Sequence, residues 1–429
     1  MFNFTLDVDT SRDVMLVSWN NKSPATERVM HDLGGQWEDF NVYRLPFELS
    51  LIKKVYKHAK RVGDETKATK EFKVATKKLK QRVSAAKWLT RADSDAEISE
   101  LLFAEAPETA KALRSYQRAG VKFMSINQAT LLADSPGAGK SVQTIATMIS
   151  AGVSGDILVL APSAAIQVTW PAEISRWAPD DEIVCATGTR KQREAELAKL
   201  KKKSRSKRRW VLCNIEMAKV KYHKPTVNMK KGWYEYIYPE LFFINPNKES
   251  KAQKGKKKEW SAIAVDESHR ALITNKTQAY KQTQTRAGLG KLKTVEGGKR
   301  IAISGTPFRG KPENLWGTLN WLMPDKYKSY WPWVDRWFNT SSGYFGGTEI
   351  HEMDKSTSKR FHESFSHFTL RRTKSEIAPD LPPKVYAGSI PPGVEPEPGQ
   401  DKALIGHWLE MEPKQKRAYH QMVDEAIAN

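Results

Sequence analysis

The sequence predicts an α/β fold, a central and mainly parallel sheet flanked by helices, preceded by a small N-terminal α+β module and a helical connector. Between residues 106 and 390 short apolar runs alternate with helical stretches, the pattern of a parallel sheet. Each run ends on a polar or small residue, at the strand end where open α/β sheets bind ligands. One run, Thr130-Leu131-Leu132-Ala133, passes through Gly137-Ala138-Gly139-Lys140-Ser141 into a helical stretch, Ser141 to Ser150. Strand, Gly-rich loop and helix in that order are the context a phosphate-binding loop requires.

Taken in order, residues 1–52 mix short alternating runs, Val14 to Trp19 and Asn41 to Pro46, with turn residues, as a small α+β module does. Residues 53–105 are rich in Lys, Ala and Glu at helical spacing and poor in Gly and Pro, which predicts a connector of helices. Within 106–390 the strand candidates are Thr130 to Ala133, Ile157 to Leu160, Trp210 to Leu212, Ala262 to Val265 and Arg300 to Ile303. Two basic insertions, Lys199 to Arg209 and Asn245 to Lys258, interrupt them and read as mobile loops. Residues 391–429 open with a linker rich in Pro, Gly and Glu, Pro391 to Gln400.

A chain of 429 residues with 39% hydrophobic content can bury sizeable cores. Its 70 basic residues against 49 acidic ones leave a net charge of +21, which calls for an anionic partner, nucleic acid first. Two cysteines, Cys185 and Cys213, exclude a disulfide framework and a cysteine-rich zinc site. No segment approaches the roughly eighteen apolar residues of a membrane span, and Met1 to Val14 lacks a basic-then-apolar signal pattern. A soluble intracellular protein with no membrane partner is expected, cytoplasmic or, in a eukaryote, nuclear.

In the loop, the small residues Gly137, Ala138 and Gly139 let backbone N–H groups curl around phosphates at a helix N-terminus. Lys140 is placed to neutralise the β and γ phosphates of ATP, and the Ser141 hydroxyl to ligate Mg²⁺. The strict motif has glycine where Asp134 stands. Asp266-Glu267-Ser268-His269 follows the apolar run Ala262 to Val265, and acids there are costly unless a cation or water uses them. Asp266 suits Mg²⁺, and Glu267 suits orienting and deprotonating the attacking water, so Lys140, Asp266 and Glu267 are the candidate catalytic residues. His269 and the strand-end residues Ser304, Gly305 and Thr306 are candidates for coupling γ-phosphate state to a bound polymer. Upstream, the carboxamide of Gln117 suits an adenine edge.

In this order the pieces resemble helicase superfamily 2, its Swi/Snf branch in particular. Leu113-Arg114-Ser115-Tyr116-Gln117 is similar to the branch's adenine motif, and Asp134 to Thr144 to its phosphate loop, where an Asp commonly replaces the first glycine. Ala161-Pro162-Ser163, running on to Trp170 and Trp177, is similar to the DNA-contacting motif Ia. Ser304-Gly305-Thr306-Pro307 with Leu315-Trp316 and Leu319-Asn320-Trp321-Leu322, and Leu370-Arg371-Arg372-Thr373-Lys374 before Leu381-Pro382-Pro383-Lys384, are specific signatures. The resemblance implies a RecA-like first lobe of an ATP-dependent, Mg²⁺-requiring translocase on double-stranded or forked DNA. Pro162, Ser163, Arg309 and the insertion residues Lys254, Lys256, Lys257 and Lys258 are its candidate DNA contacts, a solvated loop being the other reading of the lysines.

The family also implies a second RecA-like lobe that completes the ATP site. Leu409-Glu410-Met411, Gln415 and Tyr419 look like that lobe's opening, so it is expected from the intact protein or another chain, with little hydrolysis by this chain alone. Leu33 to Trp37 with Tyr43 to Pro46 resembles the HARP-type module of annealing helicases. Trp37 and Tyr43 are either base-stacking or core aromatics. A DNA- and ATP-binding module, and an RNA-directed helicase of the same superfamily, are the competing functions. Ser268-His269 and the Trp-rich segment after Pro307 argue against RNA.

Overall fold

Hydrophobic alternation sets the first sheet. The computed structural model describes residues 3–10, 12–20, 23–62, 65–225, 231–244, 256–272, 283–308, 312–343, 347–351, 353 and 355–379. The chain divides into two units, Met1–Ile377, which holds every described element, and Ala378–Asn429. Strands β1 (Asn3–Asp9), β2 (Val14–Trp19), β3 (Gln36–Asp39), β4 (Val42–Pro46) and β5 (Glu65–Ala68) form one sheet in the order β3-β4-β2-β1-β5. Phe4, Leu6, Met15, Val17 and Leu45 turn the same way, into a core closed by helices α1 (Pro24–Asp32) and α2 (Leu49–Arg61) and the first half of α3 (Lys70–Leu89).

The module boundary expected at residue 52 falls inside α2, because β5 returns to pair in parallel with β1. That pairing is non-local, so the Lys-rich composition around it gives no sign of a strand. Helix α3 belongs to both parts. Its Phe72 and Leu79 enter the module core, and its Ala86 and Leu89 enter the core of the lobe that follows.

The lobe begins with α4 (Glu100–Glu105), α5 (Pro107–Ala112) and α6 (Ser115–Ile126). Then β6 (Ala129–Leu132), α7 (Lys140–Ser150), β7 (Gly155–Ala161), α8 (Trp170–Trp177), β8 (Glu182–Ala186), α9 (Arg190–Ala198) and β9 (Arg208–Asn214) alternate as expected. After them come a hairpin, β10 (Val220–His223) with β11 (Trp233–Tyr236), and the short pair β12 (Phe243–Ile244) and β13 (Lys256–Lys257). The sheet resumes with β14 (Glu259–Val265), α10 (Ser268–Ala271), α11 (Gln284–Leu289) and β15 (Lys293–Ile303). Helices α12 (Pro312–Leu322) and α13 (Tyr330–Trp337), hairpin β16 (Thr340–Ser342) and β17 (Thr348–Ile350), α14 (Lys355–Phe365), β18 (Thr369–Leu370) and α15 (Lys374–Ile377) complete it.

Among the described residues the lobe sheet has the order β18-β6-β15-β14-β7-β9-β8, every pairing parallel. The central runs of its strands are apolar because both faces are covered there. Leu131, Leu158, Leu160, Val211 and Ile263 face one layer, Leu132, Ile157, Val159, Leu212 and Ala264 the other. The first layer runs into an aromatic cluster on α12 to α14, with Trp316, Trp321, Tyr330, Trp333, Trp337 and Phe361. The N-terminal module docks beside it through Lys326 Nζ–Asp13 (2.8 Å), Arg336 Nη2–Glu48 (2.8 Å) and a hydrogen bond from Gln36 to Ser329. No helix among the described residues is long and apolar enough to cross a membrane.

Candidate functional site

Because all seven strands are parallel, the residues that follow them share one edge, and that edge collects the chemistry. After β6 the chain turns through Gly137 (φ +83°) and Gly139 (φ +71°), left-handed conformations that favour glycine. At Gly139 a Cβ would also collide with the Gln117 carboxamide. Gly139 is the N-cap of α7 and no side chain caps that helix, so its first-turn amides face the loop without a side-chain acceptor. That arrangement fits an anion. The Lys140 ammonium rests on the carbonyls of Asp134 (3.1 Å) and Ser135 (3.2 Å). Burial lowers its pKa, while the field of Asp134, Asp266 and Glu267 opposes that shift. Ser141 opens the same helix, half-buried.

Beyond β14, burial raises the pKa of Asp266, opposed by hydrogen bonds from Trp170 Nε1 (3.1 Å) and Glu267 N (2.9 Å). Glu267 sits at φ +49° and ψ +42°, a left-handed backbone uncommon for a residue with a side chain. Such strain costs on the order of 1–3 kcal/mol and concentrates at functional sites. It turns the carboxylate outward, 46% exposed, with His269 Nδ1 at 3.2 Å. The same Nδ1 lies 2.8 Å from Ser304 Oγ at the end of β15, and Ser304 Oγ accepts from Thr306 N (3.1 Å). Gly305 packs against the Pro136 ring, where a Cβ would stand only 3.2 Å away. The unusual proline of the loop is therefore seated on the third motif.

Gln117 is engaged locally. Its Oε1 accepts from Arg114 N (3.0 Å) and its Nε2 donates to Ala138 O (3.2 Å), bonds that fix the carboxamide and leave it a second N–H and a second lone pair. Among the described residues no cluster of three or more acidic, His or Cys side chains could by itself cage a metal. Ser141 and Asp266 therefore fit Mg²⁺ only in the way that ion usually binds, by a few protein oxygens together with phosphates and water.

Pro162 and Ser163 follow β7 and line an open groove with Asn214, Glu216, Lys219 and Arg270. The insertion lysines lie elsewhere. Lys256 and Lys257 precede β14, at the opposite edge of the sheet, and are exposed. Lys258 is a correction to the expected DNA contacts. Only 10% exposed, it is held 2.7 Å from Asp156 and stacked over Trp260 at 4.6 Å. Arg208 and Arg209, at the end of the other basic run, are likewise buried in pairs with Asp181 (2.8 Å), Glu105 (2.6 Å) and Asp156 (2.7 Å). Lys254 and Arg309 lie outside the described residues, as does the expected lobe-two opening. Tyr43 is a core residue, stacked on Trp19 at 5.5 Å, whereas Trp37 is 65% exposed on the β3–β4 hairpin beside exposed Phe40.

Two partners escaped the sequence reading. Trp170 holds Asp266, and Arg372 holds Asp134. Both belong to motifs that were visible, but nothing local links them to the acids they touch.

A family model described as the SNF2-related domain matches residues 116–388, most of the chain. The chain belongs to the SNF2-related family. Among SNF2-related relatives, the Saccharomyces cerevisiae transcription regulatory protein SNF2 is 25% identical over 285 residues, covering 64% of this chain and 14% of that protein. The ISWI chromatin-remodeling complex ATPase ISW1 of the same yeast is 30% identical over 294 residues, covering 66% and 22%. The chain thus spans 14% to 22% of the length of these two relatives. A solved Sulfolobus solfataricus SWI2/SNF2 ATPase core in complex with dsDNA overlays on 66% of this chain and 47% of its own, at 20% identity. Its TM-score of 0.38 is too low to bear on the geometry of the site.

Proposed function

We propose that this SNF2-related chain binds ATP with Mg²⁺ at the loop before α7 and couples its hydrolysis to movement along duplex or forked DNA. The supporting observation is the gathering of Lys140, Asp266, Glu267 and the His269–Ser304 pair on one sheet edge, with the groove of Pro162 and Ser163 beside them. In this reading the α7 amides and Lys140 hold the phosphates, and Ser141 and Asp266 supply oxygens to Mg²⁺, which neutralises phosphate charge when bound. Glu267, strained outward, orients a water and takes its proton as the γ-phosphate is attacked. His269 links that carboxylate to Ser304, so a change at Glu267 is felt by the strand end that carries Gly305 and Thr306.

The openness of Glu267 and Gly137 favours a site closed from outside, by a second RecA-like lobe. Without that closure the same residues make a DNA- and ATP-binding module that turns over slowly. The N-terminal module, HARP-like by its motif, would present Trp37 and Phe40 to unpaired bases, and Lys256 and Lys257 would meet phosphates on the far edge. ATP turnover measured without nucleic acid, with duplex DNA, with forked DNA and with duplex RNA tests the proposal. DNA stimulation that Glu267→Gln abolishes is expected. With the second lobe supplied, stimulation by RNA alone, or by nothing, would refute it, whereas slow turnover is expected of this chain alone.

A further inference from the structure

The motif Leu370-Arg371-Arg372-Thr373-Lys374 has no part in the chemistry above, yet Arg372 reaches the phosphate loop. Its guanidinium and the Asp134 carboxylate are both fully buried. Arg372 N (2.9 Å) and Nε (3.1 Å) donate to Asp134 Oδ1, and Nη2 donates to Oδ2 (2.5 Å). Nη2 also donates to Gln143 Oε1 (2.9 Å) and Nη1 to the Tyr116 carbonyl. One guanidinium therefore ties the adenine-motif helix α6, the loop entry and the first turns of α7. Gly120 makes room for it, since a Cβ there would collide with Gln143 and stand 2.9 Å from Arg372 Nη2.

Two of the elements so tied, α6 and α7, converge on one loop carbonyl. Tyr116 Oη (3.2 Å), Gln117 Nε2 (3.2 Å) and Gln143 Nε2 (3.1 Å) all donate to Ala138 O. A trans peptide is planar, with its C=O and N–H on opposite sides. Pulling Ala138 O inward therefore turns Gly139 N–H outward, to the side of the loop proposed to hold phosphates. The backbone adds a second link, for Ala133 N donates to Leu370 O (2.7 Å) and Ser135 N to Arg372 O (3.0 Å). The strand β18 is thus zipped alongside β6 up to the loop itself.

We infer that Arg372 is a positioning residue for the phosphate loop, and that it makes nucleotide affinity depend on the seating of the segment Leu370–Ile377. Asp134, standing where the strict motif has glycine, is the receptor that makes this dependence possible. The inference rests on the loop being the nucleotide site.

Its test compares Mg²⁺-dependent binding of a fluorescent ATP analogue, duplex-DNA affinity and thermal midpoint for the parent chain, Arg372→Lys, Asp134→Asn, the double variant and Lys140→Ala. Amide exchange of residues 370–377 is followed in the parent chain with and without the analogue. Arg372→Lys and Asp134→Asn, still folded, should each weaken nucleotide binding tenfold or more, and the double variant no further, as coupled residues do. DNA affinity should stay within twofold, which loss of the fold would not allow, and the analogue should slow exchange in residues 370–377. Nucleotide affinity within twofold of the parent in folded Arg372→Lys would overturn the inference. So would unchanged exchange of the segment in the parent chain, a result that does not depend on any variant folding. If Lys140→Ala also left binding intact, the nucleotide site itself would be misplaced, a separate failure.

Discussion

The two edges of the lobe sheet use similar residues to opposite ends. At the carboxyl edge, Lys140, Asp266 and Glu267 are held apart, by carbonyls, a tryptophan N–H and a strained backbone. At the amino edge, Arg208, Arg209 and Lys258 meet Asp181, Glu105 and Asp156 within 2.9 Å and are largely buried. Buried charges joined to one another satisfy each other within the fold, and each becomes costly once its partner is lost. Charges kept separate near an open surface remain available to a ligand, and the burial that shifts the pKa values of Lys140 and Asp266 is what that availability costs.

That contrast makes different demands on each edge. At the carboxyl edge, Glu267→Gln in the motor with its second lobe supplied should lower DNA-stimulated hydrolysis by about 10²–10⁴-fold, the usual worth of a general base. Nucleotide affinity should change little, since the amide keeps the size and leaves Lys140 in place. Steady-state turnover and equilibrium binding on the same preparation measure both, and parallel losses would mean that Glu267 is structural after all. At the amino edge the expected signature is reversed. Arg208→Met leaves the buried Asp181 without its cation, while Glu105 keeps Lys207, so denaturant titration should show a loss of roughly 3–5 kcal/mol, with nucleotide affinity unchanged at temperatures where the variant is folded. A stability within ~1 kcal/mol of the parent would show the buried pair to matter less than its geometry implies.

The smallest expected effect concerns the exposed lysines of the amino edge. Reversing Lys256 and Lys257 to Glu should lower duplex-DNA affinity and reduce the salt slope by roughly 2 if both neutralise phosphates. An identical slope would make them solvated charges, and the amino edge purely structural.

The motifs at the carboxyl edge were legible because each is local. A glycine loop, an acidic pair and a Ser-Gly-Thr turn declare themselves within a few residues, and parallel topology then places them together. The pairs that hold them were not. Trp170 and Asp266, or Asp134 and Arg372, meet only because distant strands are neighbours in the sheet, and each sequence segment taken alone is equally consistent with other partners. The amino edge misled for the same reason. A run of nine residues with seven basic ones, Lys201 to Arg209, reads as a solvated loop, yet its last two arginines find buried acids donated by other segments. The strand β5 was hidden by composition that suits a helix, and the exposed Phe40 by its place between acidic and polar neighbours in a hairpin turn.

The function proposed for the carboxyl edge requires the loop at Gly137 to Ser141 to be a Mg²⁺-nucleotide site. The most direct test is equilibrium binding of a fluorescent ATP analogue, with and without Mg²⁺, to the parent chain, Lys140→Ala and Glu267→Gln. Saturable, Mg²⁺-enhanced binding to the parent and to Glu267→Gln, weakened about 100-fold in Lys140→Ala by loss of a buried charge-assisted contact worth roughly 3 kcal/mol, is the predicted result. Equal binding to all three chains, or no binding to any, would contradict it.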